Sequence, residues 1–317
     1  MGPACLTHAY NLIRASVICQ TGVQFRRARS ILRVGALELL DDWPVPTAAA
    51  AVIGPSGVLA THGDTGRAFR LASVTKPLVA RAAQVAVEEG AFELDTPAGP
   101  PGSTVRHLLA HASGVAMQSG AGGERSDGGM NVLAAPGTRR IYSNHGFTLL
   151  AEALEEATDI PVQTYLSEAV FEPLGMTAST LADGAAAAGF GAESSVDDLV
   201  CFAADLLRPA LVTAELHTEA TTVQFPGLNG VLPGFGSQRP NDWGLGFEIR
   251  AEKKPHWTGA SNSDRTYGHF GQSGTFLWVD PAVDLAFVVL TDRDFGEWTY
   301  PLWPAISDGV LREFGAH

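Results

Sequence analysis

The sequence predicts an α/β (α+β) fold: one sheet assembled from the two ends of the chain, with helices inserted between them. Three observations predict it. Apolar runs of strand length cluster near residue 50 and again between residues 243 and 291. Helical spacing of apolar residues dominates the stretch between those clusters. A last helical segment, Tyr300–Phe314 with Pro304 in its first turn, closes the chain. That order reads as a discontinuous α/β domain, residues 34–82 and 196–317, interrupted by a helical subdomain at 83–195. A chain of 317 residues, 45% apolar, is long enough to bury such a core.

Each element has a local cause. Ala48–Ile53 and Gly57–Thr61 flank Gly54-Pro55-Ser56-Gly57 and read as a β-hairpin. From Val74 onward Leu78, Ala82, Val85 and Ala86 keep helical spacing until Gly90, a natural stop. Pro77 is tolerated only near the first turn of that helix, so Ser73 is expected at or beside its N-terminus. Ser103 is a candidate cap for a short helix carrying Val105, Leu108 and Leu109, closed by Gly114. Ser119–Gly129 reads as a mobile loop. Ile141–Asn144 is a turn leading into a helix with Phe147, Leu150, Ala151 and Leu154 on one face. Ser195-Val-Asp-Asp198 resembles a capping box, opening a helix that runs to Leu207. Trp243–Arg250, His269–Val279 and Leu285–Thr291 read as strands, with Asp280-Pro281 opening the turn between the last two.

Charge and composition exclude several functions. The formal net charge is −13, which argues against binding a phosphate backbone and so against nucleic acid. No run of eighteen apolar residues suggests a membrane span. The first 33 residues carry five basic side chains, Arg14, Arg26, Arg27, Arg29 and Arg33, and none of the 34 acids. They read as an atypical basic leader or a mis-called start, with a packed helix or a transit segment as alternatives. They lack the pattern of a secretory signal, which points to a cytoplasmic setting. Cys5, Cys19 and Cys201 form no disulfide framework, and no spacing suggests a metal or an organic cofactor. Cys201 lies in an apolar helical stretch and reads as a core residue.

Of the 21 basic side chains only three are lysines, Lys76, Lys253 and Lys254. The adjacent pair reads as solvated loop charge. Lys76 lies in an apolar stretch instead, and a buried lysine, unlike an arginine, can give up its proton. Ser73-x-x-Lys76 places amine and hydroxyl on one helical face, where a depressed amine can activate a weak nucleophile. Tyr142-x-Asn144 supplies a phenol able to relay a proton and an amide able to orient a carbonyl. His269-Phe270-Gly271-Gln272 sits at a strand edge: Gly271 would admit a substrate backbone, and the Gln272 N–H could share an oxyanion with the Ser73 N–H. Alone, each pattern competes with a bland explanation: a capped helix, a turn, a glycine-rich strand end.

Taken together and in this order, they resemble the serine β-lactamase and penicillin-binding protein superfamily, in its class C-like branch with family VIII-type esterases and D-amino-acid peptidases. His107-Leu-Leu-Ala-His111-Ala-Ser113-Gly114, Pro136-Gly137 through Asn144, Pro173-Leu-Gly-Met176 and Gly268 through Pro281 extend the resemblance over roughly residues 35–317. It implies a β-lactamase/transpeptidase-like fold, a mainly antiparallel sheet flanked by helices with a helical subdomain across a cleft. It implies Ser73 as nucleophile, Lys76 as its activating partner, Tyr142 as general base or acid, and Asn144 as a contact to substrate and Lys76. His269 takes the third-motif position and reads with Gly271 and Gln272 as substrate-binding, while His111 and Ser113 read as structural. Many relatives carry Lys-Thr-Gly where this chain has His269-Phe270-Gly271, so carboxylate recognition should be weaker. The expected activity is an acyl-enzyme hydrolase acting on small acyl esters or amides. The alternatives are a β-lactamase or D-alanyl-D-alanine carboxypeptidase, and a non-catalytic penicillin-binding-like sensor.

Overall fold

The expected hairpin forms from β1 (Ala48–Gly54) and β2 (Gly57–His62). The strands from the other end of the chain are β3 (Glu248–Ile249), β4 (Tyr267–Gly271), β5 (Thr275–Asp280) and β6 (Leu285–Thr291). In this computed structural model, which describes residues 35–118 and 130–315, they join in one antiparallel sheet ordered β2-β1-β6-β5-β4-β3. The basic segment at 1–33 and the Ser119–Gly129 stretch lie outside the described residues.

Register sorts the two faces of the sheet. Val52 lies opposite Phe287, and Phe287 opposite Trp278. Those residues pack against a 3₁₀ helix, Ala36–Asp42, and against Trp303, Ile306 and Val310 of the final helix. The alternate row, Ala51 opposite Val288 and Val288 opposite Leu277, faces the helices carrying Val79, Ala83 and Leu199. Both faces are covered, so β1 and β6 read as continuous apolar runs rather than alternating ones.

Helix α1 (Thr75–Glu88) follows a 3₁₀ turn at Ala72–Val74, so the regular helix begins one residue later than spacing suggests. Pro77 falls in its first turn, where its missing N–H costs little. The short helix is Val105–Leu109; its N-cap is Thr104, and the Ser103 hydroxyl is buried without a partner among the described residues. Helix α2 (Asn144–Thr158) buries Phe147, Leu150, Ala151 and Leu154. Ser195 caps α3 (Val196–Leu207), accepting from the Asp198 N–H at 3.1 Å. In α4 (Thr299–Phe314), Pro301 takes the first turn and Pro304 sits farther in than expected.

Two expectations change. The strand expected over Trp243–Arg250 shrinks to β3, because Gly244 and Gly246 turn the chain and Gly246 donates instead to Leu109 O. The segment His269–Val279 divides into β4 and β5 around a tight turn closed by Gly274 N–H on Gly271 O. Cys201 is buried in the core as expected, on helix α3, while Cys5 and Cys19 lie outside the described residues. No helix among the described residues is long and apolar enough to cross a membrane.

Lys253 also differs from expectation. It is buried, donating to Glu248 Oε1, Ile249 O and, at 2.7 Å, Asp242 O. Glu248 accepts further bonds from His256 Nε2 and Trp257 Nε1, each at 2.9 Å. Burial alone would raise the Glu248 carboxyl; His256 and Lys253 outweigh it and hold that group well below the usual carboxylate range. Burial lowers both His256 and Lys253, but the amine starts from 10.5 and the imidazole from 6.5, so Lys253 is the more durable counter-charge. Removing one partner of a buried pair strands the other. Lys253→Met should therefore lower the unfolding free energy in urea by about 3 kcal/mol at neutral pH. Exposed Lys254→Met should change it by less than about 0.5 kcal/mol. Equal, small effects would show that Glu248 does not depend on Lys253.

Candidate active site

The turn that carries Ser73 is held from two sides. Thr275 Oγ1 donates to Leu71 O at 2.9 Å and Ser273 Oγ to Arg70 O at 2.6 Å, tying the turn to the β4–β5 hairpin. Leu71 N–H donates to Ala192 O at 2.9 Å, and Thr75 Oγ1 accepts from Ala192 N–H. Ala72, directly before the serine, holds φ +46°, a conformation a non-glycine residue keeps only when its surroundings demand it. Gly271 answers a different need from the expected one. A Cβ there would lie 2.2 Å from Leu71 O, so the close approach it permits is that of the chain's own nucleophile turn.

Lys76 is fully buried on α1, and its Nζ lies 3.3 Å from Ser73 Oγ. It donates to Asn144 Oδ1 and to Gly189 O, both at 2.7 Å. Neither acceptor is charged. Burial without a counter-charge pushes the amine well below its ordinary value of 10.5. Once deprotonated, the amine would keep two N–H bonds for these acceptors and turn a lone pair toward the Ser73 hydroxyl.

Tyr142 Oη donates to Ser73 Oγ at 2.7 Å, and Lys76 Nζ lies 4.6 Å from the tyrosine ring centroid. Burial raises the phenol, the Ser73 bond offsetting part of the rise. The side chain still keeps some surface in the pocket, where water moderates the effect. Burial is the larger of the two effects, so the phenol stays above its ordinary value. Tyr142 therefore stands as a proton donor in the resting site. His111 fixes this segment: its Nδ1 accepts from Ser143 N–H at 3.2 Å, its carbonyl accepts from Ile141 N–H, and its ring lies 4.6 Å from that of Tyr142. Ser143 Oγ caps α2 through Gly146 N–H, which places Asn144 at the helix start.

His269 is buried beside Tyr142 and Trp243. Its Nδ1 lies 2.7 Å from Phe270 O, which can only accept, so Nδ1 carries the proton and Nε2 is a bare acceptor. Among the described residues Nε2 has no partner. Burial, then Lys76, bring its pKa down to about 3. Gln272 is exposed, and among the described residues its N–H has no acceptor. The Ser73 N–H likewise starts its turn before the first intrahelical bond, made by Val74 N–H. Ser73, Tyr142, Asn144, His269 and Gln272 all line one cavity of about 450 Å³, with Met117, Phe190 and Trp243. Sequence patterns missed Gly189, whose carbonyl holds Lys76, and these apolar walls, since none of them carries a motif. No group of three or more His, Cys, Asp or Glu side chains among the described residues is placed to hold a metal.

The sequence profile of the Beta-lactamase family matches residues 38–306. The chain belongs to that family. A solved structure described as a β-lactamase from Mycobacterium bovis is 69% identical, covers 89% of this chain and 100% of its own, and superposes with a TM-score of 0.84. A protein of Escherichia coli (strain K12), provisionally named a D-alanyl-D-alanine carboxypeptidase, is 23% identical over 201 residues. That match spans 50% of this chain and 46% of the relative. EstCE1, described as a hydrolase with promiscuous acyltransferase activity, shares the fold at 17% identity, covering 96% of this chain and 99% of its own, with a TM-score of 0.68. The family's serine β-lactamase and penicillin-binding protein fold, a mainly antiparallel sheet flanked by helices, is the one described above.

The lysine's depressed pKa sets the sign of a pH effect in this β-lactamase-family site. Acylation of Ser73 should fall as pH drops through that pKa and be flat above it, with the midpoint well below 10.5. Stopped-flow acylation rates across pH measure this. Lys76→Arg, which cannot deprotonate, should cost about a thousandfold and erase the limb. A rate still climbing at pH 10 would contradict the buried neutral amine.

Proposed function

We propose that this serine hydrolase of the β-lactamase family forms an acyl-enzyme on Ser73 and acts, esterase-like, on uncharged acyl esters or amides. Ser73 Oγ attacks the substrate carbonyl while its proton passes to Lys76 Nζ. Negative charge developing on the carbonyl oxygen is received by the Ser73 and Gln272 N–H groups. Tyr142 gives its proton to the departing alcohol or amine and regains one from Lys76. The free Nδ2 of Asn144 orients the acyl carbonyl. Water then attacks the ester, its proton moving back through the same groups and releasing the acid from Ser73.

One observation carries the choice of substrate. The third-motif position holds a neutral His269 with a bare, buried Nε2. A lone pair repels a carboxylate and welcomes an O–H or N–H. A cationic lysine there would do the reverse. A second reading, β-lactam hydrolysis at the same serine, is favoured by the description of the 69%-identical Mycobacterium bovis protein.

Intact-mass analysis after mixing with p-nitrophenyl esters and with penicillin tests both readings. A transient acyl adduct from the ester, absent in Ser73→Ala, is the expected result. Rapid penicillin turnover with no ester adduct would replace the first reading by the second. His269→Lys should raise kcat/KM for a carboxylate-bearing ester, relative to its neutral analogue, roughly tenfold. No change in that ratio would show that His269 does not read the substrate's charge.

A further inference from the structure

The cavity around Ser73 is two-sided. One edge is polar: Arg70 and Asp294 face each other at 4.0 Å, and Gln272 stands beside them, its carbonyl accepting from Phe295 N–H. The other edge is apolar. Met117 is 44% and Phe190 50% exposed, among the few large apolar side chains so open to solvent, and both line the cavity. Exposed apolar surface gathered at the mouth of a reactive site, rather than scattered singly, marks a binding surface.

These two side chains are not loosely placed. The carbonyl of Met117 accepts from the N–H groups of Asn144 and His145, at 2.9 and 3.2 Å. Phe190 follows Gly189, whose carbonyl holds Lys76, and a Cβ on Gly189 would meet Asn144 Cα at 3.3 Å. The same backbone atoms that fix Lys76 and Asn144 thus fix Met117 and Phe190. Tyr142, which protonates the leaving group, stands beside His269 and Trp243. Asn144, which orients the acyl carbonyl in the proposed reaction, is tied by its own N–H to the Met117 carbonyl, so the acyl group is assigned to the Met117–Phe190 edge.

We infer that Met117 and Phe190 form a specificity lip for an apolar acyl chain of several carbons, so that medium-chain acyl esters are better substrates than acetyl esters. The inference rests on the reading of Ser73 as acyl acceptor in an esterase-like enzyme. A methylene laid on a half-exposed lip gains about half of its full burial, close to twofold in kcat/KM per carbon.

The test is kcat/KM for p-nitrophenyl esters from acetyl to decanoyl, alongside acetyl esters of alcohols of increasing length, for the wild type and for Met117→Asn and Phe190→Ser. The wild type should gain roughly tenfold from acetyl to hexanoyl, and less than about threefold along the alcohol series. Each variant should flatten the acyl series while keeping a wild-type melting temperature, since both side chains are exposed. A flat acyl series, a rise along the alcohol series instead, or a rise that both variants leave untouched would overturn the lip. Loss of all Ser73-dependent ester hydrolysis would overturn the esterase reading itself, an outcome distinct from a flat chain-length profile.

Discussion

Lys76 carries no counter-charge. Its amine is sealed inside the protein against an amide oxygen and a carbonyl, with the face of Tyr142 on one side and Phe147 beyond it. A carboxylate in place of either acceptor would hold the ammonium charged and end its use as a base. Burial pushes the Tyr142 phenol up against the smaller effect of its Ser73 bond, and burial, then Lys76, keep His269 neutral. The desolvated amine thus sits beside a phenol that burial pushes up and a His269 that carries its proton on Nδ1.

That arrangement needs parts from distant segments to meet within hydrogen-bond distance. The sheet supplies the fixed reference. The β4–β5 hairpin clamps the nucleophile turn through Ser273, Thr275 and the bare Cα of Gly271, while α2 delivers Asn144 from a cap made by Ser143. Arg140, buried just ahead of Tyr142, ties the carbonyls of Gln224 at 2.6 Å and Asn241 at 3.0 Å. A buried guanidinium satisfied by carbonyls fastens loops without adding a carboxylate near Lys76.

Much of this was legible in the sequence, for a physical reason. Ser73-x-x-Lys76 is a local helical relation, and local relations survive in sequence spacing. The hairpin, the Ser195 cap and the apolar runs of β1 and β6 are likewise local. What escaped notice depends on tertiary partners. Lys253 looked solvated because its carboxylate partner, Glu248, lies five residues back, across a turn that no pattern announced. Gly189 contributes only a carbonyl, and every residue has one. The Trp243–Arg250 segment has the composition of a strand, but Gly244 donates within the segment to Phe247 O and Gly246 to Leu109 O at the end of the short helix. Gly271 was read as space for a substrate, and that space belongs to Leu71.

With only Lys76, Lys253 and Lys254 in the chain, lysine side-chain NMR offers an uncrowded view of the central claim. Protein labelled with ¹³C and ¹⁵N at lysine, assigned with Lys76→Arg, can be titrated while the Cε and Nζ shifts are followed. The account predicts that Lys76 shows neutral-amine shifts well below pH 10.5, while exposed Lys254 stays an ammonium over the same range. A Lys76 signal that keeps ammonium shifts up to pH 10 would contradict it.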